Sequence, residues 1–227
     1  MKTINYLIVI SLVTVFISSC KKNEDQPTVY LGYDYFPVDV GRVMYYDADS
    51  IITDEFNNGT TTTHHFQIKE VIESTYADNE GRPTQRIERY VRDSSNAPWN
   101  IFKVWSATLT NTRAERFEDN VRYVKLVFPV KADIHWNGNS LNTNDALDYQ
   151  YTDVHSAITL NNRSYDSVLT VLQEQEDDLI NHRYFMEQYA TQVGMIYKEN
   201  VKQLLDFNNQ TVISGYIYKE TLTSYTP

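Results

Sequence analysis

Long stretches of this chain alternate apolar and polar side chains with a period of two, and few show helical spacing. His64, Phe66, Ile68, Glu70, Ile72 and Tyr76 form one such row. Successive residues of a strand point to opposite faces, so this row is predicted to share one face. The 18 tyrosines, with many Thr, Val and Ile, suit a pleated, half-buried surface. Turn-forming clusters recur at Asn57-Asn58-Gly59, Asp78-Asn79-Glu80-Gly81, Asn137-Gly138-Asn139, Asn161-Asn162 and Asn208-Asn209. Between them strands are predicted at about 42–54, 62–76, 84–94, 99–112, 121–130, 147–157, 166–175, 182–190, 194–206 and 211–224. Short connections imply antiparallel pairing, and so many strands must close or stack to bury one face. The expected fold is all-β: a single antiparallel β-barrel or two-sheet sandwich of about ten strands.

Two echoes refine this picture. Gly194-Met195-Ile196-Tyr197-Lys198-Glu199 returns as Gly215-Tyr216-Ile217-Tyr218-Lys219-Glu220, which predicts a terminal hairpin turning between Asp206 and Gln210. Phe36-Pro37-Val38 returns as Phe128-Pro129-Val130. Proline interrupts ladder pairing, so each is expected to be an edge or entry segment, and their repetition suggests two similar halves.

The N-terminus has a different character. Lys2 precedes an uncharged apolar run from Leu7 to Ser19, which ends at Cys20, the only cysteine. A membrane span needs roughly 20 apolar residues, whereas a signal-peptide core needs about 7–15. The run fits the second, and Ile17-Ser18-Ser19-Cys20 reads as a lipobox. Residues 1–19 are therefore expected to be a lipoprotein signal peptide and Cys20 an acylated N-terminus. Two or more acyl chains, at about 0.8 kcal/mol per buried methylene, anchor a protein stably. Residues 20–32, polar and interrupted by Pro27, read as lipidated terminus and tether, and 33–227 as one β domain. Lys22-Asn23-Glu24-Asp25 resembles a surface-export signal of Bacteroidetes lipoproteins, which favours the cell surface over the periplasmic face.

The segment 36–45, Phe-Pro-Val-Asp-Val-Gly-Arg-Val-Met-Tyr, resembles the opening of a family of uncharacterised Bacteroidetes outer-membrane lipoproteins. So do Tyr123-Val124-Lys125-Leu126-Val127-Phe128-Pro129-Val130, running on to Trp136-Asn137-Gly138-Asn139, and Glu187-Gln188-Tyr189-Ala190-Thr191-Gln192-Val193-Gly194 with the Met-Ile-Tyr-Lys-Glu that follows. The chain departs from that pattern at Asp133-Ile134, where a glycine is usual. The resemblance implies a lipid-anchored β domain at the outer membrane, and brings no activity, ligand or catalytic residue with it.

Charge excludes one class of partner. Loss of residues 1–19 removes one of the 20 basic residues and none of the 30 acidic ones, taking the net charge from −10 to −11. Nucleic-acid binding depends on Lys and Arg neutralising phosphates, so it is not expected. With Cys20 acylated no thiol chemistry remains. His64 and His65 point to opposite faces of one strand, no histidine pair has the spacing of a helical zinc site, and no metal or other cofactor is expected. Asp47-Ala48-Asp49-Ser50 begins like a calcium loop but lacks its later ligands, and the acidic run 174–178 reads as a solvated hairpin tip. Asp49-Ser50-Ile51 and Asp166-Ser167-Val168 match a short Bacteroidetes O-glycosylation pattern.

Two residues stand out as ligand-contact candidates. Glu70 interrupts an apolar row, where its carboxylate is a general acid or ligand contact, is paired with Arg86, Arg89 or Arg92 of the next strand, or is turned outward by a bulge. Trp136 lies in an Asn-rich loop and offers a ring for stacking. Trp99 and Trp105 have the same strand parity and are expected on one face. The leading functional expectation is a non-enzymatic binding or structural accessory, held by membrane lipid, with an envelope protein or glycan as partner. A lipocalin-like carrier of a small apolar ligand is the alternative, and an envelope hydrolase using Glu70 is a third reading.

Overall fold

The computed structural model describes residues 29–57 and 59–227, and Leu31 to Pro227 form one compact unit. It is all-β: one antiparallel sheet of twelve strands, curled into a nearly closed barrel. The strands are β1 (Val43–Asp54), β2 (Thr60–Ala77), β3 (Pro83–Arg92), β4 (Asn100–Leu109), β5 (Arg113–Glu118) and β6 (Val121–Val127). Then come β7 (His135–Asn137), β8 (Asp148–Leu160), β9 (Arg163–Asp177), β10 (Asn181–Ala190), β11 (Gly194–Leu205) and β12 (Val212–Thr226). Their order in the sheet is β6-β5-β4-β3-β2-β1-β12-β11-β10-β9-β8-β7. Every neighbour is thus consecutive in sequence except β1 and β12, whose ladder from Val43↔Thr226 to Thr53↔Gly215 joins the two ends of the domain.

Two strands go beyond the sequence reading. The stretch expected as one strand over 99–112 is a hairpin arm, β4, followed by a turn and then β5. The segment Arg113-Ala114-Glu115-Arg116-Phe117-Glu118 has none of the β-branched residues that mark strands. The other addition, β7, is only three residues long and includes Trp136, placed by sequence in a loop. The predicted terminal hairpin is β11–β12, with Lys198 opposite Glu220 and Glu199 opposite Lys219.

The sheet divides into two six-stranded meanders, β1–β6 and β7–β12, and one Phe-Pro-Val segment precedes each. The two entry segments meet at one end of the barrel, the entry end. There the Leu31 carbonyl accepts from Val130 N–H at 3.0 Å, and the Tyr33 and Phe128 rings meet edge to face with centroids 4.7 Å apart. Gly32 has φ +88°, and a Cβ on it would lie 2.7 Å from the Val130 side chain, so both conformation and space require glycine. The apolar core lies toward this end and includes Phe36, Met44, Tyr46, Ile72, Ala107 and Ile196.

The gap between β6 and β7–β8 closes without a regular ladder. Val124 N–H donates to the Gly138 carbonyl at 2.9 Å, and the Trp136 indole donates to the Val124 carbonyl at 2.9 Å. The Tyr151 hydroxyl accepts from Val127 N–H at 2.8 Å and donates to Val127 carbonyl at 2.7 Å. Side chains thereby satisfy an edge strand that would otherwise present unpaired backbone groups.

Bulges alter the parity read from sequence. One in β4, where Arg89 pairs with Lys103 and Tyr90 with Ile101, separates the two tryptophans expected on one face. Trp105 is buried beside Arg89, while Trp99 lies against Tyr45 and Arg92 on the opposite side of the sheet. A bulge at Glu73 likewise takes Tyr76 out of the Glu70 row, leaving it 46% exposed.

Candidate functional site

Midway along the barrel the apolar core gives way to charge. Glu70 on β2 accepts from Arg116 on β5 at 2.9 Å and lies 3.3 Å from Arg89 Nε on β3. Arg89 donates on to Glu220 of β12 at 2.7 Å. Arg116 Nε faces Glu118 at 3.5 Å, and Glu118 faces Lys125 of β6 at 3.4 Å. Lys125 donates to Glu187 of β10 at 2.7 Å, and Lys198 of β11 lies 3.3 Å from the same carboxylate. Glu70, Glu118, Glu187 and Glu220 are thus balanced by Arg89, Arg116, Lys125 and Lys198 in one chain of contacts across the interior. Tyr189 and Tyr218 donate to Glu187 and Glu220, and the Arg89 guanidinium stacks 4.0 Å from the Trp105 ring centroid.

The electrostatics follow from this pairing. Burial alone would raise the Glu187 carboxyl, but Lys125 and Lys198 hold it well below the usual carboxylate range. Burial opposes ionisation of Glu220 as well, and Arg89 lowers it. Glu118 is lowered against burial by Lys125, Lys198 and Arg116. Burial and the neighbouring carboxylates push the Tyr189 and Tyr218 phenols up, so they serve as donors.

Glu70 therefore sits in the row the alternation indicated, held between two guanidinium groups. A cavity of only about 30 Å³ adjoins it, bounded by Met44, Tyr46, Ile87 and Tyr189 among others. That is room for about one water, far short of the roughly 300–1,000 Å³ of a ligand pocket.

Trp136 is also placed differently from a free loop residue. Half-buried, its indole is bonded to Val124 and its ring packs 4.6 Å from that of Tyr151, so it belongs to the barrel seam. Cys20 lies outside the described residues. Ser50 is half-buried on β1, and Ser167 is hydrogen-bonded to the Tyr35 hydroxyl at 2.7 Å. Among the described residues no three His, Cys, Asp or Glu gather as a metal site.

A wider space lies above the ion-pair layer, at the barrel end opposite the entry segments. It measures about 300 Å³. Lys125, Lys198 and Glu118 form its floor, and Tyr123, Tyr149 and Phe185 contribute aromatic walls. Asn139, Asn144 and Leu147 of the β7–β8 connection also line it. Gly138 lets the Tyr149 ring lie against the backbone, since a Cβ there would fall 2.4 Å from that ring. Two more residues line this mouth: Gln173 of β9 and Asn200 of β11.

Gln173 is 5% exposed, and its Nε2 has no hydrogen-bond partner; Asn200 Oδ1 is buried and lacks one too. Arg42 Nε, Gln85 Oε1, Arg89 Nε and Arg116 Nε share this condition; Arg89 Nε and Arg116 Nε face carboxylates at 3.3 and 3.5 Å, and Arg42 donates through its other two nitrogens. The ladder between β9 and β10 passes from Glu174↔Phe185 to Leu172↔Met186, which leaves Gln173 as the extra residue of a bulge. Sequence alternation carries no mark of that bulge.

A larger cleft of about 610 Å³ lies outside the barrel at the entry end, and its cation, Arg42, already donates to Asp39 and to the Gln192 carbonyl. At the mouth end, neighbouring hairpin tips expose Phe56, Leu179, Ile180 and Phe207. The β9–β10 and β11–β12 tips are tied together by Leu205 N–H donating to the Ile180 carbonyl at 2.8 Å.

No family model matches the sequence, and no curated protein is similar to it. Among solved structures, the chain is similar to a protein taken to be a lipoprotein from Parabacteroides distasonis, with 12% identity over 85% of this chain and 98% of that one and a TM-score of 0.42. It is also similar to a protein taken to be exported, of YmcC-like fold, from Bacteroides fragilis, with 9% identity over 85% and 98% and a TM-score of 0.39.

Proposed function

We propose that this protein is a lipid-anchored envelope lipoprotein of the outer membrane that binds through the mouth of its barrel and carries out no catalysis. The observation that carries this reading is the division of the interior: the one carboxylate suspected of catalysis is held by Arg89 and Arg116, while open space with unpartnered polar atoms lies at the mouth. A general acid or base must reach the proton it moves, and the void beside Glu70 measures about 30 Å³. The same small void weighs against a carrier that holds an apolar ligand deep inside the barrel. Exposed apolar side chains at the hairpin tips add a surface on which an envelope partner can settle.

Anchoring rests on Cys20 and the apolar run before it. Its test is fractionation of cells expressing Cys20→Ala: the variant is expected to leave the membrane fraction, and an unchanged membrane fraction would contradict the anchor. Protease treatment of whole cells then distinguishes surface display, the orientation suggested by Lys22-Asn23-Glu24-Asp25, from a periplasmic one.

A further inference from the structure

We infer that the mouth pocket is a site for a neutral polyhydroxylated ligand, of the class of a pyranose sugar. This deepens the binding reading given above and rests on it. The inference begins from two polar atoms: Gln173 presents a buried donor and Asn200 a buried acceptor, and neither has a partner within the protein. Buried polar groups are nearly always satisfied, so an unpartnered pair lining one pocket points to a partner from outside. A hydroxyl both donates and accepts, so a ligand carrying several satisfies both amides at once.

Charge narrows the class further. The pocket is lined by Glu118, Asp119, Lys125 and Lys198, two acids and two bases. Each already has a counter-charge: Lys125 and Lys198 lie on Glu187, Glu118 on Lys125 and Arg116, and Asp119 on Lys103. A phosphate or carboxylate ligand would find no uncommitted cation there. An alkyl chain would leave both amides unsatisfied. Tyr123, Tyr149 and Phe185 provide aromatic surface suited to the C–H faces of a sugar ring, and the Tyr hydroxyls add polar handles. The volume, about 300 Å³, is at the lower end for ligand pockets and suits a small ligand or the end of a longer glycan. The bulge that sets Gln173 in the β9 ladder is a device by which strands re-aim a side chain next to a site.

The experiment uses the full-length protein in a detergent without a sugar headgroup. Saturation-transfer NMR and calorimetry are run with glucose, galactose and N-acetylglucosamine, and with gluconate and a fatty acid as comparators. Binding of at least one neutral pyranose is expected, weakened tenfold or more by Gln173→Leu and by Asn200→Leu and unaffected by Arg42→Lys at the entry end. Gln173→Glu, which keeps shape but removes the donor, should weaken it too, and the melting temperature of each variant reports whether it is folded. The inference is overturned if no neutral pyranose binds, if folded Gln173 and Asn200 variants bind as well as the parent, or if gluconate or the fatty acid binds more tightly. Tighter binding of gluconate or the fatty acid that folded Gln173→Leu weakens would overturn the sugar class and leave binding at the mouth standing, whereas binding of none of the probes would count against both.

Discussion

Glu70 and Gln173 are each 5% exposed, each polar, and each set in a strand of the same sheet, yet their surroundings differ completely. Glu70 meets two guanidinium groups. Gln173 leaves its amide nitrogen without a partner and lines open space. Burial alone would nominate both as functional. The difference teaches that a buried polar group marks a site when its bonding capacity is left open, whereas a saturated one reports on the construction of the interior.

The comparison can be broken most severely by acid. Glu187, Glu220 and Glu118 have folded-state values below their ordinary 4.5, so their stabilising contribution is present above about pH 4.5 and is lost as pH falls toward the folded values. The unfolding temperature is expected to be flat from about pH 5 to pH 8 and to fall steeply below that range. A flat profile down to about pH 3 would show that the charged layer contributes little. Next in size is Arg116→Met, which leaves Glu70 and Glu118 facing a lost cation. Breaking a buried pair from one side costs about 3–5 kcal/mol, to be read from urea unfolding.

Tyr151→Phe addresses the seam, where one hydroxyl serves both backbone groups of Val127. Its loss should cost about 2–3 kcal/mol, more than the about 1–2 kcal/mol for Trp136→Phe, which orphans only the Val124 carbonyl. Hydrogen exchange at Val127 should rise in the Tyr151 variant. If both variants instead match the parent, the edge of β6 is satisfied in some other way.

Glu70 was legible from sequence because it interrupts an apolar row of period two, and its interior placement follows from that parity alone. The paired strands were legible for the same reason, and the Gly194–Glu199 echo located the last hairpin. What could not be read depends on strands far apart in the chain. Arg116 and Glu118 lie in a segment whose charges look solvent-facing until β2 and β6 are brought to it. Trp136 resembled a free loop aromatic because the edge it covers, β6, is defined only once the sheet has curled round. Gln173, Phe102 and Glu73 sit at bulges, and a bulge is a property of two registers rather than of one strand.

The smallest effect on stability is expected at Gln173. Gln173→Leu removes a buried donor that has no partner, so unfolding free energy should change by less than about 1 kcal/mol in either direction. The most direct test of the division between a structural ion-pair layer and an open mouth is therefore urea unfolding of Glu70→Gln and Gln173→Leu side by side. The account predicts that Glu70→Gln costs about 3 kcal/mol or more, by leaving Arg89 and Arg116 short of a counter-charge, while Gln173→Leu stays near the parent. A stable Glu70→Gln beside a strongly destabilised Gln173→Leu would contradict it.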